Sequence, residues 1–463
     1  MKFALYFGNR GFFPERLIAS ARRETVEALA ALGIESLCQP EELTRYGAVE
    51  TAAEGRRYAA FLREHAGEYD GVLLVLPNFG DENGASEALR DCGTPIYILA
   101  YPDELDKMDF NSRRDAFCGK LSIMDVFGQF GIRYTVWAPH TLHPASEEFG
   151  RQMVRFSAVC RIVKGMKRFR IGAVGARPTA FKTIRFDENA LQKYGITSEV
   201  FDNSDLLLRV RALRDDAPEV TAKAELFSGY TDFSQVPREK LLALAKLSCA
   251  LDRLIAEYEL DALGLRCWLD LEQTLQISPC VVLSELNDRG FPAACELDVG
   301  NAVTMYALHL ASCEPAACLD WNNNYEDDPD RCVLFHCGPV PQRLMLERGR
   351  VIDHPMFAKS LGAGCAFGCN VGRIRPMHFT FASSTTVDGR LRYYTGEGEF
   401  TCDTLPAEFF GCGGVARIPG LQQGLLRIGR NGYRHHVGVT PGSWSTVLDE
   451  AFGTYLGYDK TEL

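Results

Sequence analysis

Two acidic side chains, Glu296 and Asp320, each follow an apolar run of the sequence. They lie 24 positions apart, and residues 301–312 between them have the apolar spacing of a helix. A strand–helix–strand return over this stretch would bring both carboxylates to one sheet edge. Because two carboxylates that meet in a crevice repel each other, they either share a proton or bind a cation. The pattern therefore predicts a site for proton transfer, for a cation, or for both.

Three histidines in β-like runs are candidate partners for these acids: His336, His435 and His436. Successive side chains of a strand point to opposite faces, so only one of His435 and His436 should reach a given site. Two carboxylates and an imidazole, with positions left open for water, suit Mn²⁺ or a similar divalent ion better than a closed zinc site. Each residue alone also has a structural interpretation, because acids cap helices or pair with arginine and histidines are often hydrogen-bonded in place. The combination favours the metal site.

Two loops after predicted strands carry groups that can bind hydroxyls. Residues 7–11 (Phe-Gly-Asn-Arg-Gly) include Arg10, and residues 77–82 (Pro-Asn-Phe-Gly-Asp-Glu) include Asn78. Open α/β sheets bind ligands at the carboxyl ends of their strands, so we expect both side chains to serve a binding site in the same or a neighbouring subunit. Ordinary turn chemistry is the alternative explanation for both loops.

A third loop, residues 172–177 (Gly-Ala-Val-Gly-Ala-Arg), superficially resembles a dinucleotide-binding turn. It lacks the full Gly-x-Gly-x-x-Gly spacing, and Pro178 interrupts the start of the helix that would carry the pyrophosphate. We therefore expect no nucleotide cofactor.

The chemistry-bearing residues need elements to position them, and the chain predicts an α/β protein of three domains. Buried strand candidates, including residues 2–7, 71–76 and 169–174, alternate with helical stretches, which indicates parallel sheets covered on both faces. We expect open parallel-sheet α/β domains at 1–165 and 166–319, the second carrying Glu296.

From residue 320 the pattern changes. Short β-rich runs separated by turn residues at intervals of about 8–12 positions predict an antiparallel, barrel-like β domain over 320–463. The Gly-rich residues 411–420 are interpreted as a loop.

Composition excludes several classes of partner. The 50 basic and 61 acidic residues give a net charge of −11 without a basic run, so nucleic acid is not expected. No apolar stretch approaches the ~20 residues of a membrane helix and the first residues do not form a signal peptide, which predicts a cytoplasmic protein without membrane contact. The closest pairs among the 16 cysteines, 332/337 and 365/369, lack the doubled Cys-x-x-Cys pattern of structural zinc, so the cysteines are expected to pack as small hydrophobes.

Several blocks of the sequence resemble the L-fucose isomerase family, which is related to L-arabinose isomerase. The strongest block runs over residues 287–299 and continues to Asp320. Further blocks lie at residues 7–14, at 175–178 with Phe181 and Arg185, at 266–268, at 336–338 and at 435–436. The resemblance thus spans all three predicted domains.

The resemblance implies an aldose–ketose isomerase that is active with Mn²⁺ and assembles as a trimer or hexamer. The family's metal-binding glutamate, aspartate and histidine would fall on Glu296, Asp320 and one of His435 and His436. Trp268 and His336 would contact the substrate. Relatives of this kind include enzymes for modified sugars such as sulfoquinovose.

We therefore expect a divalent metal-dependent isomerase of a hexose, deoxyhexose or sulfonated sugar. Glu296 and Asp320 would transfer protons through an enediolate intermediate. Two alternatives remain open: a non-catalytic carbohydrate-binding protein, and a metal-dependent aldolase or lyase that uses the same intermediate to break a carbon bond.

Overall fold

A computed structural model describes residues 1–463 of the chain. The chain divides into two compact units. The N-terminal unit comprises residues 1–164 and 450–457, and the larger unit comprises residues 165–449 and 458–463. None of the helices combines the length and the apolar character that crossing a membrane would require.

A four-stranded parallel sheet flanked by helices forms the N-terminal unit. Its strands are β1 (Lys2–Phe7), β2 (Glu35–Cys38), β3 (Gly71–Leu76) and β4 (Ile96–Ala100). Its helices are α1 (Arg16–Ala31), α2 (Ala52–Glu64), α3 (Glu82–Leu89), α4 (Ala116–Phe130) and α5 (Glu147–Met166), and the π-helical segment Glu450–Leu456 joins it from the end of the chain. The strand order is β2-β1-β3-β4. All six residues of β3 are buried, as both faces of a covered parallel strand require. The predicted strands at residues 2–7 and 71–76 are confirmed.

The larger unit begins with a second four-stranded parallel sheet. Its strands are β5 (Phe169–Val174), β6 (Ile196–Phe201), β7 (Ala262–Leu265) and β8 (Ala293–Ala294), in the order β6-β5-β7-β8. Its helices are α6 (Glu188–Lys193), α7 (Asn203–Arg211), α8 (Pro218–Tyr230), α9 (Arg238–Tyr258), α10 (Asp270–Thr274), α11 (Cys280–Asp288) and α12 (Val299–Ser312). The two parallel sheets confirm the α/β class.

The rest of the larger unit is a nine-stranded, mostly antiparallel sheet. Its strands are β9 (Ala317–Asn324), β10 (Arg331–His336), β11 (Arg350–Asp353), β12 (Phe367–Arg373), β13 (Met377–Val387), β14 (Arg390–Phe400), β15 (Cys412–Arg417), β16 (His436–Pro441) and β17 (Asp459–Lys460). Its helices are α13 (Pro355–Leu361), α14 (Leu421–Arg430) and α15 (Ser445–Asp449). Strand β15 pairs with both β10 and β14, which closes the ring β15-β10-β9-β16-β13-β14. The predicted barrel-like β domain is confirmed.

The interpretation of residues 411–420 as a loop is wrong, because Cys412–Arg417 forms β15. The glycines of this strand allow neighbouring side chains to pack closely against its backbone. A Cβ on Gly414 would lie 2.8 Å from the ring of Phe400 and 3.1 Å from Ile374, closer than packed side chains allow. Glycine here lets large neighbouring side chains approach the strand backbone, a role that composition alone does not distinguish from a turn.

Helix α12 connects the second parallel sheet to the barrel. Most of its residues are buried, and it packs against β7 on one side and against β13 and β16 on the other. The chain leaves β8 just before Glu296, forms α12, and enters β9, which carries Asp320. The two acids therefore come from two different sheets. The expectation that they converge at one sheet edge is wrong, because β9 pairs antiparallel with β10 and β16 instead of joining the parallel sheet.

Candidate functional site

A tight turn directly after β8 positions Glu296. Glu296 (φ 62°) and Leu297 (φ 65°) both adopt the left-handed conformation, which costs on the order of 1–3 kcal/mol for each non-glycine residue. The buried side chains of Cys295 and Leu297 keep the turn in this strained conformation. Asp298 follows and caps α12, its Oδ1 accepting the backbone N–H of Asn301 at 3.0 Å. The turn thus presents two carboxylates, Glu296 and Asp298, within three residues.

Strand pairing in the barrel positions Asp320. Asp320 on β9 stands directly opposite His436, the first residue of β16. Directly paired residues of neighbouring antiparallel strands project from the same face of the sheet. The register therefore fixes the carboxylate and the imidazole next to each other, without any contribution from a flexible loop.

The imidazole of His436 lies at the centre of the site and is 1% exposed. Its Nε2 is 3.2 Å from Oε2 of Glu296 and 3.3 Å from Oδ1 of Asp320. These two carboxylate oxygens are buried and have no hydrogen-bond partner besides this imidazole. The convergence that the sequence predicts for Glu296 and Asp320 is thus present, around one nitrogen atom.

Asp298 orients that imidazole from the opposite side. Its Oδ2 lies 2.8 Å from Nδ1 of His436, and its Oδ1 lies 3.3 Å from the buried guanidinium of Arg434. Glycine at position 300 makes room for the guanidinium, because a Cβ there would lie 2.6 Å from it. With Nδ1–H donated to Asp298, the neutral ring keeps its lone pair on Nε2, as in histidines that bind metals.

Electrostatics at this cluster favour a positive charge between the acids. Burial alone would raise the pKa of Glu296, but the hydrogen bond and charge of His436 bring the pKa below its usual value. Burial alone would lower the pKa of His436, yet nearby Cys318 and the carboxylates of Asp298 and Glu296 raise it well above its usual value. The negative groups that hold a proton on Nε2 would equally hold a cation.

The donor set fits a divalent ion. Ligand atoms of Glu296, His336 and His436 lie within 4.8 Å of one another, and those of Asp320, His435 and His436 form a second such group. Buried carboxylate oxygens and an imidazole lone pair are hard and borderline ligands of the kind that bind Mn²⁺, and further positions would remain for water or substrate.

The other two histidines differ in their surroundings. His435 is 42% exposed, and its Nε2 lies 3.7 Å from Oδ1 of Asp320, so it stands at the rim of the cluster. His336 is buried, and its Nδ1 accepts the backbone N–H of Cys337 at 2.9 Å. The neutral His336 ring must then carry its proton on Nε2, which has no partner. His336 is therefore arranged as a hydrogen-bond donor, whereas His436 is arranged as an electron-pair donor.

A cavity of about 220 Å³ opens beside these groups. Its polar lining includes Glu296, Asp320 and His336, and its aromatic walls are Trp268, Phe335, Phe357 and Phe410. The predicted substrate-contacting residues Trp268 and His336 are thus brought together with the two acids.

The predicted binding residues Arg10 and Asn78 lie together in the N-terminal unit, where the backbone N–H of Arg10 donates to Oδ1 of Asn78 at 3.3 Å. The Arg10 guanidinium lies 4.2 Å above the ring of Phe79 and pairs with Glu82. Glu82 has a pKa below its usual value: burial raises it, but the hydrogen bond from Ser122 and the charge of Arg10 outweigh that effect. The two loops therefore form one local cluster.

Three residues of the site have no role in the sequence-based prediction. Asp298 orients His436 but lies only two positions from Glu296, so a helix cap explains it equally well from sequence. Phe181 packs its ring against Trp268, His435 and His436 at 5.5–5.9 Å. His354 is 1% exposed and lines the cavity with Nδ1 unpartnered. Its sequence neighbours include no acid but Asp353, and only the fold shows its position.

Two family models match the chain. The model described as "Fucose/sulfoquinovose isomerase, N-terminal domain" matches residues 4–167, and "L-fucose isomerase, C-terminal domain" matches residues 334–462. The second range includes His336 and His436. Glu296 and Asp320 lie between the two ranges, on the turn before α12 and on strand β9. Both family models describe domains of sugar isomerases, so the matches assign the chain to this class of enzyme. The chain belongs to the L-fucose isomerase-like family.

Curated relatives agree with this assignment. Sulfoquinovose isomerase of Alkalicoccus urumqiensis is 24% identical over 351 residues, which cover 73% of this chain and 74% of that protein. Sulfoquinovose isomerase of Priestia aryabhattai is 26% identical over 53% of this chain and 54% of its own length. Sulfoquinovose isomerase of Clostridium sp. (strain MSTE9) is 25% identical over 64% of this chain and 66% of its own length. The sequence left two alternatives open, a carbohydrate-binding protein and a lyase. The matches to isomerases favour neither of them.

Proposed function

We propose that this chain is an aldose–ketose isomerase of a hexose, a deoxyhexose or a sulfonated hexose such as sulfoquinovose. The observation that carries the proposal is the approach of Glu296 Oε2 and Asp320 Oδ1 to one nitrogen of His436, at 3.2 and 3.3 Å, at the edge of a cavity. Two partly buried carboxylates on one small cavity provide an acid and a base for the same substrate.

The reaction needs proton transfers at two pairs of atoms. One carboxylate removes the hydrogen of the sugar C2 as a proton, which gives an enediolate, and a proton is then delivered to C1. The proton of the O2 hydroxyl passes to O1, so that an aldehyde at C1 becomes a ketone at C2. Glu296 and Asp320 are the groups we assign to these transfers, because both reach the cavity and neither has another hydrogen-bond partner for its inward oxygen.

Glu296, Asp320 and His436 would also hold a divalent cation, for which we propose Mn²⁺. When bound, such an ion polarises the carbonyl and stabilises developing negative charge on oxygen. The Nε2–H of His336 would donate to a sugar oxygen, and Trp268 would cover the apolar face of the sugar. The buried pair of Asp298 and Arg434 keeps His436 in the orientation that both roles require.

The proposed substrate class is supported by the relatives, which are sulfoquinovose isomerases. The lining of the cavity contains neither lysine nor arginine. A sulfonate group would therefore be recognised by cationic residues outside this lining, and Arg10 is the residue that we propose, acting in the same or a neighbouring subunit. A neutral hexose would need no such group.

The test is a substrate panel followed by NMR. Protein loaded with Mn²⁺ is incubated with D-glucose, L-fucose and sulfoquinovose, and ketose signals are recorded. We expect ketose from at least one of these sugars and none after treatment with a chelator. Cleavage to smaller fragments, or binding without turnover for a wider panel of aldoses, would contradict the proposal.

Assembly as a homo-oligomer, a trimer or hexamer, is a second part of the proposal. Large apolar side chains are exposed on the N-terminal unit over residues 105–121: Leu105, Met108, Phe110, Phe117 and Leu121. Leu105 is 91% exposed and Phe110 is 79% exposed, which is unusual for a monomer. Light scattering should give a multiple of the 51.5 kDa chain mass, and Leu105→Asp with Phe110→Asp should reduce it.

A further inference from the structure

Four cysteines, three of them buried and Cys337 partly buried, meet beside the carboxylate site, although they lie far apart in the sequence. Cys267 follows β7, Cys280 begins α11, Cys295 begins the strained turn and Cys337 follows β10. The Sγ atoms of Cys267 and Cys295 are 3.1 Å apart, and those of Cys280 and Cys337 are 3.6 Å apart. The ligand atoms of Cys295 and Cys337 lie within 4.8 Å of each other and of His336. All four thiols are free. The short distances between them make one continuous cluster of sulfur atoms.

These separations suit a metal bound by sulfur. Zn–S bonds of about 2.3 Å in a tetrahedral site place two sulfur ligands about 3.8 Å apart. The two shortest Sγ–Sγ distances, 3.1 and 3.6 Å, are slightly below this value, and side-chain rotations that separate these pairs would place the four sulfur atoms around one ion. Each thiol would release its proton to solvent on binding, and thiolates prefer thiophilic ions of the zinc class to Mn²⁺.

A buried acid lies within electrostatic reach of the cluster. Glu272 is 1% exposed, and neither of its carboxyl oxygens has a hydrogen-bond partner. Burial raises its pKa to about 8, and its electrostatic neighbours include Cys337. A carboxyl group in such surroundings is costly unless it is protonated or faces a cation.

We propose that Cys267, Cys280, Cys295 and Cys337 form a second cation site, specific for a thiophilic ion of the zinc class. Its ligands differ from those of the carboxylate site, although three of the cysteines line the same cavity. Cys295 directly precedes Glu296, and Cys337 directly follows His336. An ion held by these thiolates braces the strained turn that presents Glu296 and the strand end that presents His336. It therefore stabilises the geometry of the carboxylate site.

The test uses the full chain, reduced and freed of metal, then titrated with Zn²⁺ and with Co²⁺. Zinc content is measured in the wild type, in the pair Cys295→Ser with Cys337→Ser, in the pair Glu296→Gln with Asp320→Asn, and in the control Cys249→Ser, a buried cysteine of α9. We expect the carboxylate variant and the control to retain one tightly bound zinc, and the double cysteine variant to bind it about 10-fold more weakly or worse.

The Co²⁺ spectrum of the wild type gives a readout that needs no variant. Thiolate ligands produce a near-ultraviolet charge-transfer band, whereas a site of carboxylates and imidazole produces none. The proposal would be overturned if zinc binding were lost in the carboxylate variant and kept in the double cysteine variant. A cobalt spectrum without the thiolate band would also overturn it. Absence of zinc uptake by the fully reduced wild type would overturn it too.

Discussion

The Nδ1 atom of His436 lies 2.8 Å from the Oδ2 atom of Asp298, a residue that also caps α12 and contacts Arg434. This one hydrogen bond fixes both the orientation and the tautomer of the imidazole. Because His436 then faces Glu296 and Asp320 with Nε2, the chemistry of the site depends on a carboxylate that does not itself reach the cavity.

Substitution Asp298→Asn should weaken the site and the fold through separate effects. Asparagine retains the helix cap but loses the charge that holds Nδ1–H, so manganese affinity should fall by about 10–100-fold. The unfolding free energy should also fall, by about 3–5 kcal/mol, because Arg434 is left as an uncompensated buried charge. The double variant with Arg434→Met should recover stability but not manganese affinity, as measured by urea unfolding and electron paramagnetic resonance. Recovery of both would show that Asp298 acts only on stability.

The two adjacent histidines should differ sharply. His436→Gln removes the nitrogen that both acids approach, and we expect it to abolish manganese binding. His435→Gln changes a half-exposed ring at the rim and should alter manganese affinity by less than about 10-fold. Isothermal titration of both variants with Mn²⁺ provides the measurement. Equal losses would mean that both imidazoles are ligands.

Glu272 should make stability depend on pH. Its pKa is about 8 in the folded chain and near the ordinary value of 4.5 after unfolding. Between these values the folded chain keeps a proton that the unfolded chain releases, so stability falls as pH rises, by up to about 1.4 kcal/mol per pH unit. In the presence of a chelator, Glu272→Gln should exceed the wild type in unfolding free energy by a margin that grows from pH 5 to pH 8. The exposed Glu239→Gln is the control, and a margin independent of pH would refute the assignment.

Arg10 provides a test of the binding role predicted for the N-terminal loops. If its guanidinium contacts substrate, Arg10→Ala should raise KM several-fold and leave kcat nearly unchanged, and the effect should be larger for a sulfonated sugar. Arg16→Ala, in an exposed position of the same unit, is the matched control. An unchanged KM with a lowered melting temperature would indicate that Arg10 serves only to pair with Glu82 and stack on Phe79.

The elements of the fold could be predicted where periodicity is strong. Strand β3 is apolar at every position and α12 has clear helical spacing, so both follow from burial alone. Strand β15 could not be recognised, because its glycines serve close packing against Phe400 and Ile374 and resemble a turn in composition.

The candidate site could be predicted in its acids and histidines but not in their arrangement. The run of apolar residues before Glu296 and before Asp320 indicates a strand end in each case, but the pairing of Asp320 with His436 depends on a register between strands more than 100 residues apart. The cysteine cluster shows the same limit, since its four members come from four separate segments.

Solvent deuterium incorporation tests the central claim most directly, namely that Glu296 and Asp320 transfer protons to and from one substrate. The substrate that gives ketose is incubated in D₂O with the wild type, with Glu296→Gln and with Asp320→Asn, and carbon-bound deuterium is followed by NMR. The wild type should incorporate deuterium at C1 of the ketose and at C2 of the recovered aldose, and each variant should be slower by at least about 10²-fold. Ketose formed without any deuterium, or full turnover in either variant, would contradict the account.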